Sequence, residues 1–126
     1  MTVLGLRFCH VAAPEHASAM AAIFGNGLAM PQLDLTKFGL PGNQDGFTGA
    51  IFPAADNSWV EVWPEGEGMP SGTMLQVVVD DADAYAATAR ANGLEPSGPV
   101  DAHGERIYYL SLPGGLPMSF QSRRAD

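Results

Sequence analysis

The chain has 126 residues, with 14 acidic against 6 basic side chains and a formal net charge of -8. That is length for about one domain with a hydrophobic core that needs no disulfide or structural metal, and an acidic surface repels phosphate backbones and anionic lipid, so neither a nucleic acid nor a membrane partner is expected. A single cysteine, no apolar run near the ~20 residues of a bilayer span, and a start without the pattern of a secretory signal predict a soluble, cytoplasmic protein.

Residues 3 to 12 read as a first strand, with Leu4, Leu6, Phe8 and His10 on one face by period-two alternation. Pro14 suits the first turn of a helix and Glu15 matches its dipole. Ala17, Met20, Ile23 and Phe24 make the apolar stripe, and Gly25-Asn26-Gly27 stops it. Two extended segments are expected around 30–38 and 46–52, separated by a turn-rich loop over 39–45. Residues 58 to 63 alternate cleanly, placing Trp59, Glu61 and Trp63 on one face. Pro64 to Gly72 reads as a linker.

The segment from Met74 to Val79 is dense in β-branched and apolar residues and suits a buried strand interrupted only by Gln76. Asp80 and Asp81 can cap the helix that follows, Ala82, Tyr85, Ala86 and Ala89 share a face of it, and Gly93 ends it. Residues 99–102 and 106–111 pair as a hairpin through the turn Ala102 to Glu105, and Pro117 to Ser122 is the last strand, followed by a short polar tail. Each half thus runs strand, helix, then three strands, and each helix leads into the same tripeptide, Asn26-Gly27-Leu28 and Asn92-Gly93-Leu94. The expected fold is α+β, a single domain over 1–126 built from two βαβββ modules (1–66 and 72–126) with curved mixed sheets.

This duplication, with Val79-Asp80-Asp81 opening the second helix, Gly98-Pro99-Val100, and the closing run Leu112 to Gln121, resembles the vicinal oxygen chelate superfamily, which holds glyoxalase I, extradiol dioxygenases and bleomycin-resistance proteins. The resemblance implies a glyoxalase-like fold and, because single-domain relatives form their cups across a two-fold, a homodimer. It also implies a cup-bound divalent ion (Zn, Ni, Mn or Fe), with His10 and Glu61 at the first-half ligand positions. In the second half the matching positions are Met74 and Ser119, neither suited to a hard divalent ion, and Gln76 and Gln121 on the same strand faces are the alternative donors.

Glu61 is costly to bury unless paired, ligating or solvated by a pocket, so an acid beside two tryptophans points to a site or to an open face. His10 reads as a ligand, a general base or a core histidine with a backbone partner. Trp59, Trp63, Met74 and Tyr109 or Tyr108 would line an apolar small-molecule cavity, with Ser119 and His103 as polar candidates. Two functions follow from the resemblance. One is a metal-dependent lyase or isomerase in which Glu61 and His10 move protons on a carbonyl or vicinal-oxygen substrate. The other is a small-molecule binder of the bleomycin-resistance type that uses no metal.

Overall fold

The apolar, partly β-branched run Val3–Ala12, interrupted only by Arg7 and His10, forms a strand, β1. In this computed structural model, which describes residues 1–43 and 46–124 and all their side chains but that of Phe38, seven strands and two helices follow one another. Helix α1 (Pro14–Ala22) comes next, then β2 (Ala50–Pro53), β3 (Trp59–Pro64), β4 (Gly72–Val79), α2 (Ala82–Ala91), β5 (Ser97–Ala102), β6 (Glu105–Leu112) and β7 (Leu116–Arg123). The strands form a mixed sheet ordered β2-β3-β1-β4-β7-β6-β5, an α+β architecture. Two compact units make up the chain, one of residues 1–7 and 74–126, the other of residues 8–73. Both draw on β1.

In the first unit β4 pairs parallel with β7, and β6 runs antiparallel to both β7 and β5. Registers Val77↔Phe120 and Tyr108↔Phe120 put these side chains on the face that α2 covers, where Val79, Ala82, Ala86, Tyr108 and Phe120 form the core. Tyr108 stacks on Phe120 at 5.4 Å between ring centroids. The opposite face carries Gln76, Ser119, Gln121 and Tyr109 by the registers Gln76↔Ser119 and Tyr109↔Ser119.

Helix α2 begins where the Asp81 carboxylate accepts from Ala84 N and the buried Ser122 hydroxyl accepts from Ala82 N. Asp80, expected as a second cap, instead accepts from Thr2 N at 3.0 Å, fastening the start of β1 to the end of β4. That bond holds its carboxyl below the usual carboxylate range. Gly93 ends the helix at φ 88°, a left-handed position open to glycine.

In the second unit β2 pairs antiparallel with β3, and α1, through its buried Ala17, lies on the face of β3 that buries Val62, with Ala50 and Phe52 on the same face. Phe24 meets Phe52 edge-on at 5.6 Å. Glu65 N donates to Ala12 O at 2.7 Å, tying the end of β1 to the exit of β3.

Two expectations fail here. Residues 30–38 hold no strand; Leu35–Phe38 is a 3-10 turn, because Asp34 accepts from both the backbone and the hydroxyl of Thr36, a local bond that competes with strand pairing. Ile23 belongs to a π turn over Ile23–Gly27, closed by Leu28 N to Ile23 O, and this rotates its side chain out to solvent. Parts of the expected 39–45 loop and of the polar tail lie outside the described residues.

Candidate functional site

Strand β3 turns Val62 toward α1 and, by alternation, presents Trp59, Glu61 and Trp63 on its other face. The indole of Trp59 donates to Glu61 Oε2 at 2.5 Å, and that of Trp63 donates to Glu61 Oε1 at 2.8 Å. One carboxylate is therefore gripped through both oxygens by neutral donors, which fixes its orientation while leaving its charge in place. Each of these three side chains is half-buried.

The seat of Trp63 is Gly49, whose φ is 144° and where any Cβ would overlap Cε3 and Cζ3 of the ring. Asn43 holds that glycine in turn, donating from Nδ2 to Gly49 O at 3.0 Å and accepting from Thr48 N at 2.7 Å. Sequence reasoning found the face but not its support, because a lone glycine before a short strand carries no visible partner.

Burial pushes the Cys9 thiol up to about 12, with the nearby Glu61 charge adding to the effect. Its neighbour His10 lies on the opposite face of β1 by alternation, and the His10 Nδ1 meets Thr73 Oγ1 at 2.7 Å. Among the described residues no three His, Cys, Asp or Glu side chains gather as ligands.

The remaining expected donors, Gln76 and Gln121, lie in the first unit, and Gln121 is committed there: its Oε1 accepts from Ser119 Oγ at 2.6 Å and its Nε2 donates to Glu105 Oε1 at 3.2 Å. A metal ion needs several donors free on one side. Gln121, with both amide atoms engaged, is poorly placed to meet that need.

Ser119 and Gln121 belong to a buried polar row that the sequence did not announce. Arg7 Nη1 donates to Glu105 Oε1 at 2.9 Å, so the row reads Arg7, Glu105, Gln121, Ser119. Arg7 is only 6% exposed, and a guanidinium so desolvated requires the carboxylate it finds. The signal was available in part, since a cation on the face of β1 opposite Leu4 and Leu6 demands a partner. Glu105 was hidden because it reads as the last residue of a turn.

Of the other expected site residues, Tyr109 is exposed and lines, with Met74, an open cleft of about 560 Å³ in the first unit. Tyr108 is buried on the α2 face, where its hydroxyl donates to Asp83 at 2.5 Å, a bond that raises its pKa. His103 sits exposed in the β5–β6 turn at φ 54°.

No family model and no curated protein sequence matches the chain. Solved structures do match in fold. A glyoxalase/bleomycin resistance protein/dioxygenase superfamily member from Vibrio splendidus 12B01 superposes with a TM-score of 0.60 at 11% identity, covering 93% of this chain and 97% of its own. A Legionella pneumophila chain described as an NAD-dependent benzaldehyde dehydrogenase gives 0.62 at 12% identity over 94% and 99%. A catechol 2,3-dioxygenase gives 0.57 at 13% identity, with 98% of this chain spanning 42% of that enzyme. The glyoxalase-like fold expected from the βαβββ repeat is the fold these structures share with the chain.

Proposed function

We propose that this glyoxalase-fold protein is a small-molecule binder whose ligand lies on the Trp59–Glu61–Trp63 face of β3. The observation that carries the reading is the double indole grip on Glu61. With both N–H groups spent on the carboxylate, what Trp63 can offer a ligand is its ring face. A planar ring can stack there, and a positive charge near it gains from both the ring quadrupole and the fixed acid. The ligand class is therefore a planar organic cation or an aromatic ring bearing an amine. The Nδ1 of His10 is engaged with Thr73, which lends chelate chemistry no support. A second copy is part of the proposal, because Leu4, Leu6 and Phe8 leave one face of β1 apolar and exposed.

Trp59 and Trp63 are the chain's two tryptophans, so selective tryptophan emission reports this face alone. Titration with N-methylquinolinium is expected to quench that emission saturably, and Glu61→Gln to weaken it; an equal response to quinoline-carboxylate, or none to either, overturns the reading. Sedimentation of the native chain against Leu6→Glu tests the second copy, with a monomer in both cases removing it.

A further inference from the structure

The indole face has a floor on the neighbouring strand. In the β2–β3 register Ile51 stands opposite Glu61 and Pro53 opposite Trp59, and one residue beyond the Ala50↔Val62 pair Gly49 comes opposite Trp63. Where a side chain would project beside Trp63 there is only hydrogen, and the ring fills that place: a Cβ on Gly49 would overlap Cε3 and Cζ3. Two contacts therefore hold one indole, the glycine against its benzene ring and Glu61 Oε1 on its Nε1 at 2.8 Å.

Glycine has the widest choice of backbone conformations, so a seat made of glycine keeps its shape only if something else fixes it. Asn43 supplies that hold. Its Nδ2 donates to Gly49 O at 3.0 Å while its Oδ1 accepts from Thr48 N at 2.7 Å, so one side-chain amide brackets residues 48 and 49. The Thr48 hydroxyl serves a different end. It lies within bonding distance of Pro41 O at 3.0 Å, Gly42 O at 3.3 Å and Asn43 Oδ1 at 2.9 Å, and none of these bonds reaches Gly49. Asn43 is exposed and outside every helix and strand, so its loss empties no core. The whole chain of contacts, from Asn43 through Gly49 and Trp63 to Glu61, lies within the compact unit 8–73.

We propose that Asn43 is a positioning residue that sets the charge preference of the indole face: by fixing the Gly49 carbonyl it keeps the Trp63 ring seated, and so keeps the Trp63 N–H on Glu61. Its meaning for ligands rests on the site proposed above. A seated Trp63 shows a ligand its ring face beside an acid, which favours cations. An unseated one has its N–H released, and that donor can serve a ligand carboxylate. Selection against anions is thus held in place by an amide that touches neither indole nor ligand.

The test uses the full chain with isotope-labelled indole nitrogens, whose two N–H resonances are assigned through Trp63→Phe. Asn43→Ala is expected to speed solvent exchange of the Trp63 N–H roughly two- to tenfold, the worth of one hydrogen bond, and to move it more than that of Trp59. Asn43→Asp should do the same, because a carboxylate still accepts from Thr48 N and cannot donate to Gly49 O. Thr48→Val, which removes only the hydroxyl, should leave both resonances as they are. A Trp63 signal unmoved by Asn43→Ala, or moved equally by Thr48→Val, overturns the proposal, since the turn would then matter only as a turn. In the ligand arm, Asn43→Ala should lower the ratio of N-methylquinolinium to quinoline-carboxylate affinity by a similar factor, and an unchanged ratio overturns the charge preference. A wild type that binds neither compound sinks the function proposed above and with it the charge preference, while the exchange comparison still decides whether Asn43 positions Trp63.

Discussion

The two units solve the burial of a carboxylate in opposite ways. In the first, Glu105 meets the nearly buried guanidinium of Arg7 and the amide of Gln121, so its charge is matched by a full positive charge inside a row that Ser119 extends. In the second, Glu61 meets two indoles, half-exposed neutral donors that orient the carboxylate without cancelling it. A compensated pair contributes to structure and has little electrostatic attraction left for a ligand. The spectroscopic handles divide in the same way, since both tryptophans lie in residues 8–73 while Tyr85, Tyr108 and Tyr109 lie in residues 74–126.

The largest effect that would break the contrast is Arg7→Met. Leaving Glu105 with a neutral partner should cost about 3 kcal/mol of unfolding free energy, as for other broken buried pairs. The double variant Arg7→Met with Glu105→Leu should recover most of it, because an apolar pair needs no compensation. Urea unfolding followed by tyrosine emission measures both, and a single variant as stable as wild type would show that the row does no structural work.

Gly49→Ala comes next. Its methyl group would occupy the place of the Trp63 ring, an overpacking expected to cost about 1–3 kcal/mol, and tryptophan emission should move with it because the indole leaves Glu61. Unchanged emission would mean that the ring is not seated as described.

Glu61→Gln sharpens the comparison from the other side. A neutral amide has one oxygen acceptor in place of two and loses one indole bond, at a cost of about 1 kcal/mol, less than Arg7→Met. Cys9 provides a second reading. Its thiol is pushed up to about 12 mainly by burial and secondarily by Glu61, so the variant should lower that value modestly and native Cys9 should resist alkylation near neutral pH. Rapid alkylation of the folded wild type would contradict the burial.

The smallest effects are on the acid side, one in each unit. Asp34 is held low by the Thr36 hydroxyl and Asp80 by the Thr2 backbone. A carboxyl depressed in the folded state contributes stability that is present above its unfolded value and lost as pH falls through the folded one. Asp34→Asn and Asp80→Asn should therefore each flatten slightly the decline of stability in acid, measured by thermal unfolding across pH, while leaving the neutral-pH contrast intact. A steeper decline would reverse the sign of the argument.

What could be read in advance follows the range of each interaction. Alternation located the β3 face and put Trp59, Glu61 and Trp63 together, because neighbours two apart on one strand need no tertiary information. The Asn-Gly-Leu repeat and the turn residues marked where helix α2 and the hairpin end. Asp34 misled the reading of residues 30–38, since its bonds to Thr36 outweighed the apolar density around it. Pairing across 98 positions was out of reach: nothing near Arg7 in the sequence names Glu105. His10 shows the same limit, because nothing near it in the sequence names Thr73, 63 positions on.

The sequence by itself determined that the chain is an acidic α+β protein with a repeated strand–helix–strand order and one strand face holding an acid between two indoles. Those features come from periodicities and caps that act over a few residues. Only the tertiary structure decided that Arg7 would meet Glu105, that Gly49 would seat Trp63, and that His10 would meet Thr73. These are contacts between segments distant in the chain, and their geometry is set by packing, which no local pattern of residues encodes.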